Sequence, residues 1–282
     1  GFCSLRSLSP FAHAINERRR NSLRPIATLS LPGNSFRPPA LSVLTASLLP
    51  PDPCPPPDGY SFDLSCCTLG ASEVHSFLKA LTEQPLNALN LASNSLPTLP
   101  PLDKHTIRSL NVSGNASLPL TLLPRNMSAF VASSVPPSDL TGLLAALIDS
   151  GSLTSLTLTN ASLTDSRTRL LSASLPSLTN LQALNVSHNP CGRSGSTSLF
   201  KSLSCVPCLR FLDVSGVAPS LGGAVCLAYL ASSHPRLGDL TVRNCALDRT
   251  SQCYIAAGVA SNRWGTLERV VGFELGAGLR EV

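Results

Sequence analysis

Leu184, Leu212 and Leu240 stand 28 residues apart, twice running, and each is the second member of the same apolar frame. The frame is L-x-x-L-x-L-x-x-N/C-x-L. It reads Leu181, Leu184, Val186, Asn189, Cys191, then Leu209, Leu212, Val214, Val217, Pro219, then Leu237, Leu240, Val242, Cys245, Leu247. A fixed internal period constrains a fold more than any other sequence feature. Each period must be one small unit that cannot bury its own apolar side and must stack on its neighbours.

The frame extends towards the N-terminus through Leu153, Leu156, Leu158, Ala161, Leu163 and a weaker copy, Met127, Phe130, Ala132, Ser133, Val135. Two shorter copies precede it, Ile107, Leu110, Val112, Asn115, Leu118 and Leu86, Leu89, Leu91, Asn94, Leu96. The earliest are Phe62, Leu64, Cys67, Leu69 and Ile26, Leu29, Leu31, Asn34, Phe36, and Leu267 with Val270 opens a degraded last copy. The paired apolar residues flank one x residue, so they point to one face of a short strand and the x residue to the other. One strand per unit predicts a parallel sheet whose apolar side chains form a continuous core. Asn or Cys at the ninth position marks a sharp inward turn where a side chain can bond neighbouring backbone.

With five positions recurring in register over about residues 26–275, the chain resembles the leucine-rich repeat family. Units of 26–30 residues resemble the ribonuclease-inhibitor type. The two shorter ones, with Leu96-Pro97, Leu99-Pro100 and Leu123-Pro124, resemble the short type with extended outer sides. The resemblance implies an α/β solenoid, a horseshoe of about ten repeats, with a parallel sheet on the concave face and helices or extended segments on the convex face. Helical returns are expected over 71–81, 138–148, 196–203, 221–231 and 250–260. Residues 1–25 form a basic segment containing a capping helix at 9–20. Residues 50–59 are a Pro-rich excursion, 276–282 a C-terminal tail, and 262–282, with Trp264 and Phe273, close the far end.

Charged residues make up only 13% of the 282 and hydrophobic ones 43%. This excludes a disordered or coiled-coil chain. The formal charge of +5 is concentrated at the start, where five arginines face Glu17 within residues 1–25. Arg18, Arg19 and Arg20 are therefore read as an electrostatic tether for an acidic protein surface or nucleic acid. The same segment, rich in Arg and Ser, fits an organellar transit sequence. No apolar run is long enough to span a membrane. The ten cysteines are read as free thiols in a reducing compartment, mostly at small buried positions of the frame. The five histidines are read as surface residues.

No nucleophile elbow, phosphate-cradling loop or H-E-x-x-H is present, so no catalytic residue, metal or other cofactor is expected. Cys205-Val-Pro-Cys208 is a single C-x-x-C, open to a metal half-site with Cys191 or Cys226 but more simply structural. Five N-x-[ST] sequons, at Asn111, Asn115, Asn126, Asn160 and Asn185, arise where the frame demands Asn in a Ser-rich chain. The outward column of x residues is small and neutral until the last third. Partner contacts are expected there, at Asn185, Phe211, Asp213, Asp239, Arg243 and Arg269.

The function implied is a non-catalytic interaction scaffold without a small-molecule substrate. Its concrete form is a structural or accessory subunit of a larger intracellular assembly, in mitochondrion or cytoplasm including the cilium. An extracellular recognition domain with paired cysteines and an RNA-associated subunit using the basic arm are the alternatives.

Overall fold

The computed structural model describes residues 2–3, 10, 13–15, 17, 26–36, 40–48, 56–81, 84–115, 123–124, 126–135, 139–149 and 151–272. Pro10, His13–Ile15 and Glu17 are helical and Ile15 is buried, in line with a helix over 9–20, whereas Arg18, Arg19 and Arg20 lie outside the described residues. So do most of the Pro-rich excursion and everything from Phe273 to the C-terminus.

The chain is α/β and divides into two compact units, Gly1–Asp139 and Leu140–Val282. The first holds β1 (Phe2–Cys3), β2 (Thr28–Ser30), β3 (Ser35–Phe36), α1 (Ala40–Leu48), β4 (Tyr60–Asp63), α2 (Ala71–Ala80), β5 (Leu86–Asn90), β6 (Ile107–Asn111) and β7 (Ala129–Val131). The second holds α3 (Leu140–Asp149), β8 (Ser155–Thr157), α4 (Asp165–Ser174) with a 3-10 turn at Leu175–Ser177, and β9 (Ala183–Asn185). It continues with α5 (Gly192–Leu203), β10 (Phe211–Asp213), α6 (Leu221–Ser233), β11 (Asp239–Thr241), α7 (Arg249–Ala260) and β12 (Arg269–Val271). A separate short ladder pairs β1 with β3.

The remaining strands run parallel and follow chain order, β2-β4-β5-β6-β7 in the first unit and β8 to β12 in the second. The register is the one the frame predicts. Leu29 pairs with Phe62, Phe62 with Leu89, Leu89 with Leu110 and Leu110 with Phe130. In the second unit Leu156, Leu184, Leu212, Leu240 and Val270 continue in the same way. From Phe62 to Leu240 these residues are at most 3% exposed. Each fully buried Leu or Phe contributes about 1.5–3 kcal/mol of apolar burial. Pairing of Phe130 with Leu110 puts Val135 at the ninth frame position, which corrects the alignment of Ser133 to it.

A feature the apolar frame does not predict recurs after nine of these ten strands. The eighth residue of the frame has φ in the left-handed region: Gly33, Cys66, Ser93, Gly114, Ser134, Asn160, His188, Gly216 and Asn244. That turn lets the eighth N–H reach the seventh carbonyl of the following unit. Cys66 bonds Ala92, Ser93 bonds Ser113, Asn160 bonds Ser187 and His188 bonds Ser215, at 2.6–3.0 Å. Left-handed backbone costs about 1–2 kcal/mol for most L-residues, and Gly and Asn tolerate it best.

All five expected helices are present. Two more, α1 and α4, were not expected. In α4 the inward positions are Thr168 and Ser172 as well as Leu171, so no clean apolar stripe marks it. Thr168 and Ser172 are satisfied by donating their hydroxyls to Thr164 O and Thr168 O at 2.8 and 2.7 Å. The connection after β5 contains no helix, as its Pro-spaced sequence predicts. Helices α4 to α7 pack in sequence, each against the next. Between α6 and α7 the backbones touch, and a Cβ at Gly258 would collide with the Ala228 carbonyl.

Candidate functional site

Each strand of β8 to β11 buries its central residue and leaves the two flanking ones half-exposed. The outward columns therefore form as the alternation requires. Of the six residues expected to bind a partner, Asn185, Phe211, Asp213, Asp239 and Arg269 are brought together on the adjacent strands β9 to β12. Phe211 sits between Ala183 and Asp239, and Asp213 between Asn185 and Thr241. Arg243 lies two residues beyond β11, in the turn, and is exposed.

The hydrogen bonds show how much of this column is taken up internally. Asp213 Oδ1 accepts from the Ser215 N–H and Oγ at 2.9 and 2.7 Å, and its Oδ2 faces Asn185 Nδ2 at 3.4 Å. Asn185 Oδ1 in turn accepts from the Ser187 N–H at 3.0 Å. The same fifth-to-seventh bond recurs at Asp63, Asn90 and Asn111. These Asx turns end the strands and lead into the left-handed residue. The signal was present in the sequence as Asp or Asn two residues before Ser or Ala, but it reads as turn chemistry rather than as a binding site. Arg269 Nε donates to Asp239 Oδ1 at 2.6 Å, so those two opposite charges compensate each other on the surface. Phe211, Arg243 and the outer part of Arg269 remain as the side chains with most to offer a partner.

The ninth-position asparagines are wholly structural. Asn94, Asn115 and Asn189 are 3–5% exposed. The Oδ1 of each accepts two backbone N–H groups of the preceding unit, and its Nδ2 donates to one carbonyl of that unit and one of its own. Cys67 and Cys245 occupy the same place and reproduce the donor half, with Sγ to Leu31 O at 3.1 Å and to Val214 O at 3.3 Å. Burial raises the pKa of both thiols, to about 11 for Cys245. The sequon at Asn115 thus marks a buried amide.

The eight cysteines from Cys66 to Cys253 are free, but only Cys67, Cys191 and Cys245 of them are buried, so most of the eight are not the small buried residues expected. Cys205 is exposed and Cys208 half-buried, with an Arg236 guanidinium N–H directed at Cys208 Sγ over 3.8 Å. Among the described residues no group of three or more His, Cys, Asp or Glu side chains is placed to hold a metal ion. None of the described helices is long and apolar enough to cross a membrane.

Two histidines contradict the surface reading. His234 is 3% exposed and bridges two units: its Nε2 meets the Val206 carbonyl at 2.9 Å while Nδ1 accepts the N–H groups of Leu237 and Arg236. That pattern requires the neutral Nε2–H tautomer. His105 is 7% exposed at the start of β6. Burial lowers the pKa of both.

Trp264 also differs from expectation. It was assigned to closing the C-terminal end, yet its ring is 60% exposed, with Nε1 donating to the Ser233 carbonyl at the end of α6. Large apolar side chains are exposed on the helices of the second unit, at Leu170, Leu221, Val225, Tyr229 and Tyr254. These residues were not singled out in the sequence because they fall outside the frame. No protein-family model and no curated protein matches the chain.

Proposed function

We propose that the chain is a leucine-rich repeat solenoid of about ten units, curved as a horseshoe, which serves as a non-catalytic scaffold for protein–protein interaction. Its concrete role in this reading is that of a structural or accessory subunit of a larger intracellular assembly, organellar or ciliary. The basic residues Arg18, Arg19 and Arg20 add an electrostatic tether to acidic protein or nucleic acid.

The observation that carries the reading is the strand surface. Strand after strand contributes two half-exposed side chains to an open face while its apolar residue enters the core. Such a face offers recognition area and fixed spacing. The free state of the cysteines from Cys66 to Cys253 and the burial of Asn115 weigh against a disulfide-stapled, glycosylated ectodomain.

The test is purification of the native protein under mild conditions with identification of what accompanies it. Stoichiometric protein partners are expected, and Phe211→Ala with Arg243→Glu should weaken their retention about ten-fold without loss of helical signal. A chain that purifies alone at every salt concentration overturns the proposal.

A further inference from the structure

Helix α6 contains no charged residue in its 13 positions. Its inward positions, Ala224, Leu227, Ala228, Leu230 and Ala231, are buried. On the opposite side Leu221, Val225 and Tyr229 are 49%, 43% and 63% exposed. They stand at i, i+4 and i+8, which places them along one line of the helix, about 12 Å long. Exposed Trp264 extends that line, because its indole N–H is bonded to the carbonyl of Ser233, four residues after Tyr229. Gly222 and Cys226, beside the line, are small. Tyr and Trp are the residue types that most often dominate binding energy.

The charges around this stripe are mostly positive. Helix α6 packs between α5 and α7. Across the helical sides of these three units, from Pro190 to Thr266 without the strand frames, the cations are Arg193, Lys201, Arg236, Arg249 and Arg263, all exposed. The sole carboxylate there is Asp248, whose Oδ1 already accepts the Ser251 N–H as the cap of α7. The strand frames of the same units are balanced, with Arg210, Arg243 and Arg269 against Asp213, Asp239 and Glu268. The positive excess therefore belongs to the helical side alone.

We propose that the α6 stripe is a docking site for an acidic amphipathic helix of a partner protein, whose apolar residues cover Leu221, Val225, Tyr229 and Trp264 while its flanking carboxylates meet Arg193 and Lys201 on one side and Arg249 on the other. The stripe is one helix wide and is flanked by Arg193 and Lys201 of α5 on one side and by Arg249 at the start of α7 on the other. That shape matches a single rod with an apolar seam and two acidic flanks. A bilayer surface would instead call for a broad apolar plane. The indole N–H of Trp264, which would seek a headgroup, is already satisfied within the chain. The inference rests on the scaffold reading and adds to it a second face and the chemistry of its occupant.

The test places the photo-crosslinking residue benzoylphenylalanine at Val225 of the full chain, and separately at Phe211, in the cells that make it. Adducts are mapped to the peptide by mass spectrometry. The expected result at Val225 is one protein segment with more Asp and Glu than Lys and Arg and with apolar residues three or four apart. Its yield should fall about ten-fold in R193E/K201E/R249E, and also on raising salt from about 0.1 M to about 0.5 M with the unaltered charges. Lipid adducts alone, a basic segment, or a yield indifferent to both charge and salt overturn the proposal. A silent Val225 beside a productive Phe211 overturns it and leaves the scaffold reading standing. Silence at both positions removes both.

Discussion

The side-chain oxygen of Asn115 accepts the backbone N–H of Asn94 at 3.1 Å, and the amide nitrogen of Asn115 donates to the carbonyl of Leu91 at 3.0 Å. One amide thus reads both a donor and an acceptor of the unit before it, and Asn94 does the same to the unit before that. The bonds are buried, so water cannot replace them.

Asn115→Ala should accordingly lose about 3 kcal/mol of stability, because the N–H groups of Asn94 and Leu96 and two carbonyls lose their partner. Asn115→Cys should cost less, since Cys67 and Cys245 show that a thiol in this place still donates to the preceding carbonyl. Urea midpoints of the two variants check the order. Equal midpoints would show that the donor half contributes nothing.

Gly258→Ala adds a Cβ where α7 touches the Ala228 carbonyl of α6. The two helices must separate, at a cost of about 1–3 kcal/mol typical of overpacking. A thermal melt should fall by several degrees, whereas Gly222→Ala, whose Cβ would meet only Ser220 Oγ at 3.7 Å, should leave it unchanged or raise it.

Burial lowers the pKa of His105 and His234 in the folded state. Between the folded value and the ordinary imidazole value the unfolded chain binds more protons, so stability rises with pH across that window. The contribution is complete above the ordinary value and is lost as pH falls through the lowered one. The urea midpoint should decrease from about pH 7.5 to about pH 5.5. His105→Gln should flatten that decrease, since Gln84 holds the equivalent place before β5. A variant with the same pH slope as the parent would exclude His105 as a source.

Cys66 and Cys67 are adjacent but face opposite ways, one exposed and one buried. In the native protein an alkylating reagent should modify Cys66, Cys205 and Cys253 first. Cys67, Cys191 and Cys245 should react only on unfolding, since burial shields each thiol and raises its pKa in the folded chain. Peptide mapping of the time course checks the order.

The strand register was legible because Leu89, Leu110, Leu212 and Leu240 are each locked by a period that apolar burial enforces. The ninth-position Asn and its Cys substitute were legible for the same reason. Helix α4 was not, because Thr168 and Ser172 face inward and satisfy their hydroxyls within their own turn. His234 was not, because its value lies in two backbone groups brought near by folding, Val206 O and Leu237 N–H. The candidate site was half legible. The columns fell where alternation put them, but the internal use of Asp213 and Asn185 depends on neighbours one strand away. The exposed line from Leu221 to Tyr229 lies in a segment whose even hydrophobicity hides which side is out.

The left-handed residue follows nine of the ten repeated strands at one unvarying distance, and in seven of them its N–H meets the carbonyl one residue short of the equivalent place in the next unit. Such a molecule can change length only in whole steps. Duplicating or deleting a complete unit, such as the 28 residues between Leu212 and Leu240, leaves the kinds of bond at each junction intact, while a single extra residue between Asp213 and Gly216 would misalign that junction. The outer helical segments lie outside this rule and are free to differ in length, which is where descendants of this chain could diversify without rebuilding their interior.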